Sequence, residues 1–582
     1  VSEPIIEFEH FSFKYKAQQF PTLNDINLKI YPGEKILIVG QSGSGKSTLA
    51  NCLNALIPCS YSGEVNGTLR VCGKNPGKLG VFGMSQIVGT VLQDTDGQFI
   101  ALTVAEDIAF ALENDNVPQD EMVQRVAKIS EKLELTDLLD YAPGAMSGGQ
   151  KQKVSIGGVM VSDVKILLFD EPLANLDPAT GKSAIKLIDD ISKNDDVTIV
   201  IIEHRLEDAL YRDVDRIILM GNGTIVADMR PDDLLCSNLL SDNGIREPLY
   251  ISAIKASGAK IQPSSNPRNI EIMDLEPYKE DIKKWFYSVK PSVKQYSEDV
   301  ILEVKNLCFR YDKKRDILNN VSFKLRRGEM VALVGKNGAG KTTLSSLICG
   351  FLKPVSGDIY FRGQDISGLS IKERGDRIGI VMQSPNQMIS KPMISEEVGL
   401  GLKVREVPDD EIEKRVNETL KICGLYQQRN WPVSALSFGQ KKRLTIASIL
   451  VMNPELIILD EPTAGQDFAH YTEIMEFLKE LRDKTNITIL MITHDMHLML
   501  EYTDRTLVLT NGNLIKDAPP FDILTDENTC EAAYLKKTSL YDLAVRCGIE
   551  NPPEFAARFI DDENRHRRAS DRNKSEQGGK NG

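Results

Sequence analysis

The sequence predicts an α/β protein of two similar halves in tandem, each with a mainly parallel sheet core, an antiparallel β part and a helical subdomain. Three observations carry that prediction. Two glycine-rich phosphate loops are present, Gly40-Gln41-Ser42-Gly43-Ser44-Gly45-Lys46-Ser47-Thr48 and Gly335-Lys336-Asn337-Gly338-Ala339-Gly340-Lys341-Thr342-Thr343. Both fit G-x-x-x-x-G-K-[ST]. Further landmarks then recur at one spacing: Gln93 and Gln383, Ser147 and Ser437, Glu171 and Glu461, Asp177 and Asp467, His204 and His494 each differ by 290 in number. Finally, strand-sized apolar runs alternate with helix-like stretches up to each histidine.

In chain order, Ile5 to Tyr15 and Val300 to Tyr311 read as the opening strands of the two halves. Lys35 to Val39 is a short apolar run suited to a buried strand, and Ser47 to Leu56 can start a helix. Between the glutamine and serine landmarks, Met122, Val126, Ile129 and Leu133 recur with helical spacing, as do Ile412, Val416 and Leu420. Pro231 to Ser257 and Pro520 to Gly548 share a pattern that gives each half a small helical extension. The organisation expected is therefore domain 1 over 1–257, a linker over 258–298 with one short helix around Trp285, domain 2 over 299–560, and a disordered tail over 561–582.

Composition bounds the class. A chain of 582 residues is too long for one core, and 41% apolar with 26% charged residues is ordinary globular usage. A net charge of −13 argues against nucleic acid as a partner. Nine scattered cysteines form no C-x-x-C pair, so they read as reduced thiols and not as a zinc site or disulfide frame. No apolar run approaches the ~20 residues of a membrane span. The start VSEPIIEFEH has no secretion-signal pattern, so any membrane role is expected to come through a partner.

The motifs specify phosphate chemistry. Glycines let backbone N–H groups approach phosphates, the following helix N-terminus adds positive charge, and Lys46 and Lys341 can reach the β/γ-phosphates. Ser47 and Thr342 can offer hydroxyls to Mg²⁺. Ile166-Leu167-Leu168-Phe169-Asp170-Glu171 and Leu456-Ile457-Ile458-Leu459-Asp460-Glu461 are apolar runs ending in two carboxylates. An Asp at the end of a buried strand can hold Mg²⁺, and the following Glu can orient or deprotonate water. Ser147-Gly148-Gly149-Gln150 and Ser437-Phe438-Gly439-Gln440 place a capping serine before helix-forming sequence, each a second anion site.

With these motifs the sequence resembles the ATP-binding cassette (ABC) ATPases over nearly all of both halves. The resemblance implies ATP and Mg²⁺ as cofactors and ATP hydrolysis as the reaction. It implies that Lys46, Asp170 and Glu171 share a site with Ser437, Gly439 and Gln440. Conversely, Lys341, Asp460 and Glu461 would share one with Ser147, Gly148, Gly149 and Gln150, making the chain an intramolecular pseudo-dimer. Gln93 and Gln383 match the glutamine loop that senses Mg²⁺ and nucleotide. His204 and His494 match the switch histidine, and Tyr15 and Tyr311 the aromatic residue that stacks on adenine. Asp177 and Asp467 fit the loop that crosses between domains. Met146, Phe438 and Gln466 depart from the family pattern, but no charged catalytic group is lost, so two hydrolytic sites are expected.

The text QDTDGQF, QSPNQMI and EHRLEDA looks like the ATPases of energy-coupling factor (ECF) importers of vitamins and trace metals. That likeness implies two partners, a transmembrane coupling protein and a small substrate-binding membrane protein. It also implies a peripheral position on the cytoplasmic face of the cell membrane. The alternative is a ribosome-associated tandem ATPase of the ABC-F type. Those carry a long charged helical insertion and basic surfaces, whereas 258–298 is short and proline-interrupted and the chain is acidic. A sugar-importer tandem ATPase usually has a degraded second phosphate loop, and GKNGAGKTT is complete.

Overall fold

Strand β3 (Lys35–Gly40) is buried along its whole length, as a strand covered by helices on both faces must be. In the computed structural model, which describes residues 3–93, 96–174, 176–290, 297–312, 316–463 and 466–578, it lies inside a six-stranded sheet. The chain divides into two units, Val1–Ile282 with Gly465–Ala469, and Lys283–Ala464 with His470–Gly582. The division falls within the stretch expected as a linker.

In the first unit, β1 (Ile6–Tyr15), β2 (Leu23–Ile30) and β4 (Gly63–Val71) form an antiparallel sheet in the order β2-β1-β4. The large sheet adds β5 (Val88–Val91), β6 (Ile166–Asp170), β7 (Thr198–Ile202), β8 (Arg216–Gly221) and β9 (Thr224–Met229) in the order β5-β6-β7-β3-β8-β9. All its pairings are parallel except β8 with β9. Crossovers force β3, β6 and β7 to end on the same edge, where ligands of open α/β sheets sit. Leu37 pairs with Ile201 and Phe169 with Ile201, which fixes that register.

The second unit repeats the plan. Strands β10 (Val300–Phe309), β11 (Leu318–Arg326), β13 (Ser356–Phe361) and β14 (Gln364–Asp365) make the antiparallel sheet. The large sheet runs β15-β16-β17-β12-β18-β19, built from β12 (Met330–Val334), β15 (Ile378–Val381), β16 (Leu456–Asp460), β17 (Thr488–Ile492), β18 (Arg505–Thr510) and β19 (Asn513–Ala518). Each unit has its own core, with Phe8, Phe13, Ile36 and Leu168 in the first and Leu302, Phe361, Leu333 and Ile458 in the second. The expected helices are Gln119–Lys132 and Asp409–Ile422; Val126, Ile129, Ile412, Val416 and Leu420 are buried in them, and Met122 only partly.

The segment expected as a linker carries the helix Lys279–Ser288, and much of it is packed. Ile261, Ile270, Met273 and Leu275 are buried, Tyr250 donates its hydroxyl to Pro267 O at 2.6 Å, and Arg268 pairs with Asp232 and Asp213. Within the second unit, Trp285 meets Phe555 and Phe559 edge-on at 5.7 and 6.2 Å. Arg558 donates to the carbonyls of Phe286 and Val289, both at 2.7 Å. Those carbonyls close a helix C-terminus and need such donors.

The scarcity of apolar residues over 561–582 predicts a disordered tail. The backbone of the helix Pro552–Gly578 runs through part of that stretch, and 579–582 lie outside the described residues. The helix is anchored earlier, by buried Phe555, Phe559 and Ile560, and reinforced by i,i+4 pairs Arg558–Glu554 and Arg567–Glu563.

Candidate active site

Each phosphate loop wraps its own lysine. Lys46, 5% exposed, donates Nζ to Gly40 O at 2.8 Å and Gln41 O at 2.9 Å. Lys341 does the same to Gly335 O at 2.8 Å and Lys336 O at 3.1 Å. Gly45 and Gly340 cap the following helices, Lys46–Leu53 and Lys341–Cys349, at φ 102° and 105°. A Cβ on Gly45 would lie 2.8 Å from Leu23 Cδ2, so glycine is required twice over. Burial lowers the Lys46 ammonium from its ordinary value, with Glu171 opposing the shift.

Asp170 and Asp460 end β6 and β16 as expected, and burial followed by the adjacent glutamate raises both carboxyls. Such crowded acids are relieved by a cation. The hydroxyls of Ser47 and Thr342, the carboxylates of Asp170 and Asp460 and the amide oxygens of Gln93 and Gln383 are hard oxygen donors. They suit Mg²⁺, an ion that takes most of its ligands from phosphate and water. Among the described residues no group of three or more His, Cys, Asp or Glu could hold a metal unaided.

Glu171 and Glu461 occupy the left-handed region, at φ 50° and 45°, unusual for a side chain of this size. Each follows its strand in a sharp turn held by one backbone bond, Glu171 N to Ile202 O and Glu461 N to Ile492 O, both 2.9 Å. The turn brings the carboxylate to the histidine. His204 Nε2 lies 2.9 Å from Glu171 Oε1, and His494 Nδ1 lies 2.7 Å from Glu461 Oε1. In the first unit Gln93 also donates its amide to Glu171 Oε2 at 2.7 Å. Glutamine, glutamate and histidine, far apart in sequence, thus meet at one point.

Tyr15 and Tyr311 sit beside the loops, with hydroxyls 3.3 Å from Thr48 Oγ1 and Thr343 Oγ1. Ser147 and Ser437 are N-caps of the helices Gly148–Met160 and Phe438–Leu450, each in a reciprocal capping box with Gln150 or Gln440. Gly148, Gly149 and Gly439 stand in the first turns, and Phe438 is half exposed. Asp177 caps the helix Pro178–Asn194 through Thr180 N at 2.9 Å.

Two features escaped sequence reasoning. Glu203, 2% exposed, accepts from Leu173 N at 3.1 Å, His204 N at 2.8 Å and Arg205 N at 3.1 Å, and its burial raises its carboxyl. It ties the loop after Glu171 to the histidine. Lys442 is buried in the second unit and donates to Gln383 O at 2.6 Å; burial lowers its ammonium to about 8. A lysine in the run KKR reads as solvent-facing charge. Only its alignment with Gln152, two places past Gln150, signals a special position.

Comparison with known proteins agrees with this geometry. A family model described as ABC transporter matches residues 23–174 and 318–464. A relative in Clostridium perfringens, named as a proposed ABC transporter ATP-binding protein, is 58% identical over 96% of this chain and 98% of its own length. The chain belongs to the ABC transporter family. Similarly named relatives in Enterococcus faecalis and Lactiplantibacillus plantarum are 56% and 51% identical, over 96% of this chain and 98% and 99% of theirs. A second model, described as ATP-binding cassette cobalt transporter, matches 237–309, which includes the packed stretch between the two repeats. A solved structure titled cbiO1 from Clostridium perfringens, part of the ABC transporter complex cbiONQ, covers 43% of this chain and 96% of its own at 36% identity, with a TM-score of 0.38. This ABC transporter ATP-binding protein is thus an ATPase with two ATP-binding domains, and no helix among its described residues is long and apolar enough to cross a membrane.

Proposed function

We propose that this ABC transporter ATPase is the energy-coupling subunit of an ECF-type importer, on the cytoplasmic face of the membrane. Its partners are a transmembrane coupling protein and a small substrate-binding membrane protein. Lys46 and Lys341 hold ATP phosphates; Ser47, Asp170 and Gln93, and in the second half Thr342, Asp460 and Gln383, hold Mg²⁺. Glu171 and Glu461 orient the attacking water, His204 and His494 respond to the γ-phosphate, and Tyr15 and Tyr311 pack on adenine. The serine motifs beginning at Ser147 and Ser437 each complete the site of the other half when nucleotide is bound. Binding the γ-phosphate then favours the closed form, which drives the partner.

The observation that carries this reading is the convergence of Gln93 and His204 on the two oxygens of Glu171. It ties the group that would meet a membrane partner to the groups that hydrolyse. Beside Gln93, Val81, Phe82, Leu92 and Phe110 line a groove of about 540 Å³, with Phe82 66% exposed. Such an apolar groove suits a helix of a membrane protein. The match of 237–309 to a cobalt-transporter model makes cobalt the first cargo to test. Both matched models describe transporters, so the ribosome-associated alternative is not favoured.

The test is uptake of labelled cobalt, and then of vitamins, by cells deleted for this chain. Uptake should fail and be restored by the natural sequence but not by Glu171→Gln with Glu461→Gln. Undiminished uptake of every such cargo in the deletion would overturn the importer reading.

A further inference from the structure

The two halves differ at one buried position of equivalent helices. The fifth residue after Ser147 is Gln152, and the fifth after Ser437 is Lys442. Gln152 is 4% exposed and donates Nε2 to Pro172 O at 3.0 Å. Lys442 is 2% exposed and reaches the other way, donating Nζ to Gln383 O at 2.6 Å and Met382 O at 3.3 Å. Asp460 and Glu461 act on the same ammonium.

The first half shows that a neutral amide satisfies this helix position, so packing alone does not demand a cation. Burying an ammonium is costly unless nearby groups compensate it, and two carbonyls with two neighbouring carboxylates do so. Gln93 is held through its side chain on Glu171. The main chain of Gln383 is held by Lys442.

We infer that Lys442 is a positioning residue of the second ATP site: through its bonds to the Gln383 and Met382 carbonyls it pins the main chain at Gln383 to the helix Phe438–Leu450. The inference rests on the reading of that half as a MgATP site. The two sites are then chemically unequal although every catalytic residue is present in both. In the second half a buried lysine side chain holds the Gln383 main chain, and in the first Gln152 stands in its place and bonds Pro172 O instead. Groups that orient metal and water ligands from behind typically change metal affinity or activity by about 10–100-fold when removed.

The experiment compares the full-length chain with Lys442→Met, Lys442→Gln, Lys442→Arg and Gln152→Lys. The readouts are ATPase kcat and half-saturating Mg²⁺, and binding of a fluorescent ATP analogue with and without Mg²⁺. Lys442→Met and Lys442→Gln should raise half-saturating Mg²⁺ and lower kcat, together by about tenfold. Analogue binding in EDTA should stay unchanged, Lys442→Arg should recover most of the loss, and Gln152→Lys should alter the Mg²⁺ dependence. Wild-type Mg²⁺ dependence and kcat in Lys442→Gln would overturn the inference. So would equal losses in Lys442→Arg and Lys442→Met, which would show that only the shape of the side chain matters. A natural-sequence chain with no Mg²⁺-dependent analogue binding would overturn the reading of the site itself.

Discussion

His494 Nδ1 and Glu461 Oε1 lie 2.7 Å apart, while the matching pair in the first half, His204 and Glu171, meets through Nε2 at 2.9 Å. The same two residue types are joined by different ring nitrogens, so the imidazoles are turned differently behind equivalent carboxylates. Both glutamates nonetheless have their histidine in place.

Glu171→Gln and Glu461→Gln together should lower steady-state ATPase activity by about 100-fold or more, the usual worth of a general base, and each alone should remove at least the turnover of its own site. Nucleotide binding should persist in both, because glutamine keeps the shape. Full turnover in either variant would show that only one half hydrolyses.

Gly45→Ala should impair folding and phosphate binding together. The new Cβ would lie 2.8 Å from Leu23 Cδ2 at a φ of 102°. A loss of about 1–3 kcal/mol is expected from strain and overpacking, read by denaturant unfolding. Gly43→Ala, at φ 78° with open space around its Cβ, should cost less.

Trp285→Ala should destabilise the second unit by about 3–5 kcal/mol, the usual cost of deleting a buried tryptophan. Arg558→Ala should lose about 1–3 kcal/mol by stranding the carbonyls of Phe286 and Val289. Denaturant unfolding followed by circular dichroism measures both; an unchanged midpoint would refute the contact's role.

Thiol labelling should follow burial. All nine cysteines are free; Cys59 is exposed, whereas Cys349 and Cys423 are buried and their thiols are pushed up to about 12 by desolvation. Their thiolate fraction is negligible at pH 8 and grows only as pH rises towards 12. Maleimide under native conditions should therefore modify Cys59 first, and Cys59→Ser should remove the fastest phase seen by mass spectrometry.

Much of the site was legible because its chemistry is local in sequence. The phosphate loops, Asp170 and Asp460 at strand ends, and the N-cap serines each need only a few neighbouring residues, and their order follows from a parallel sheet. Three things were not legible, since each depends on groups remote in sequence. The left-handed backbone of Glu171 and Glu461 comes from tying each N–H to a neighbouring strand. The burial of Lys442 depends on a carbonyl 59 residues away. The packing of 261–275 comes from buried aliphatic residues and the Arg268 ion pairs, and that of Trp285 against the last helix from aromatic contacts, neither of which composition encodes.

The clasp of Trp285 and Phe286 by Phe555, Phe559 and Arg558 also bears on biosynthesis. A chain emerging from the ribosome exposes Trp285 well before its cover exists, since Arg558 follows Phe286 by 272 residues. Domains generally fold as units during synthesis. The earlier half can therefore mature while translation proceeds, whereas the later one waits, with an apolar seam open to chaperones, until its final helix has been made.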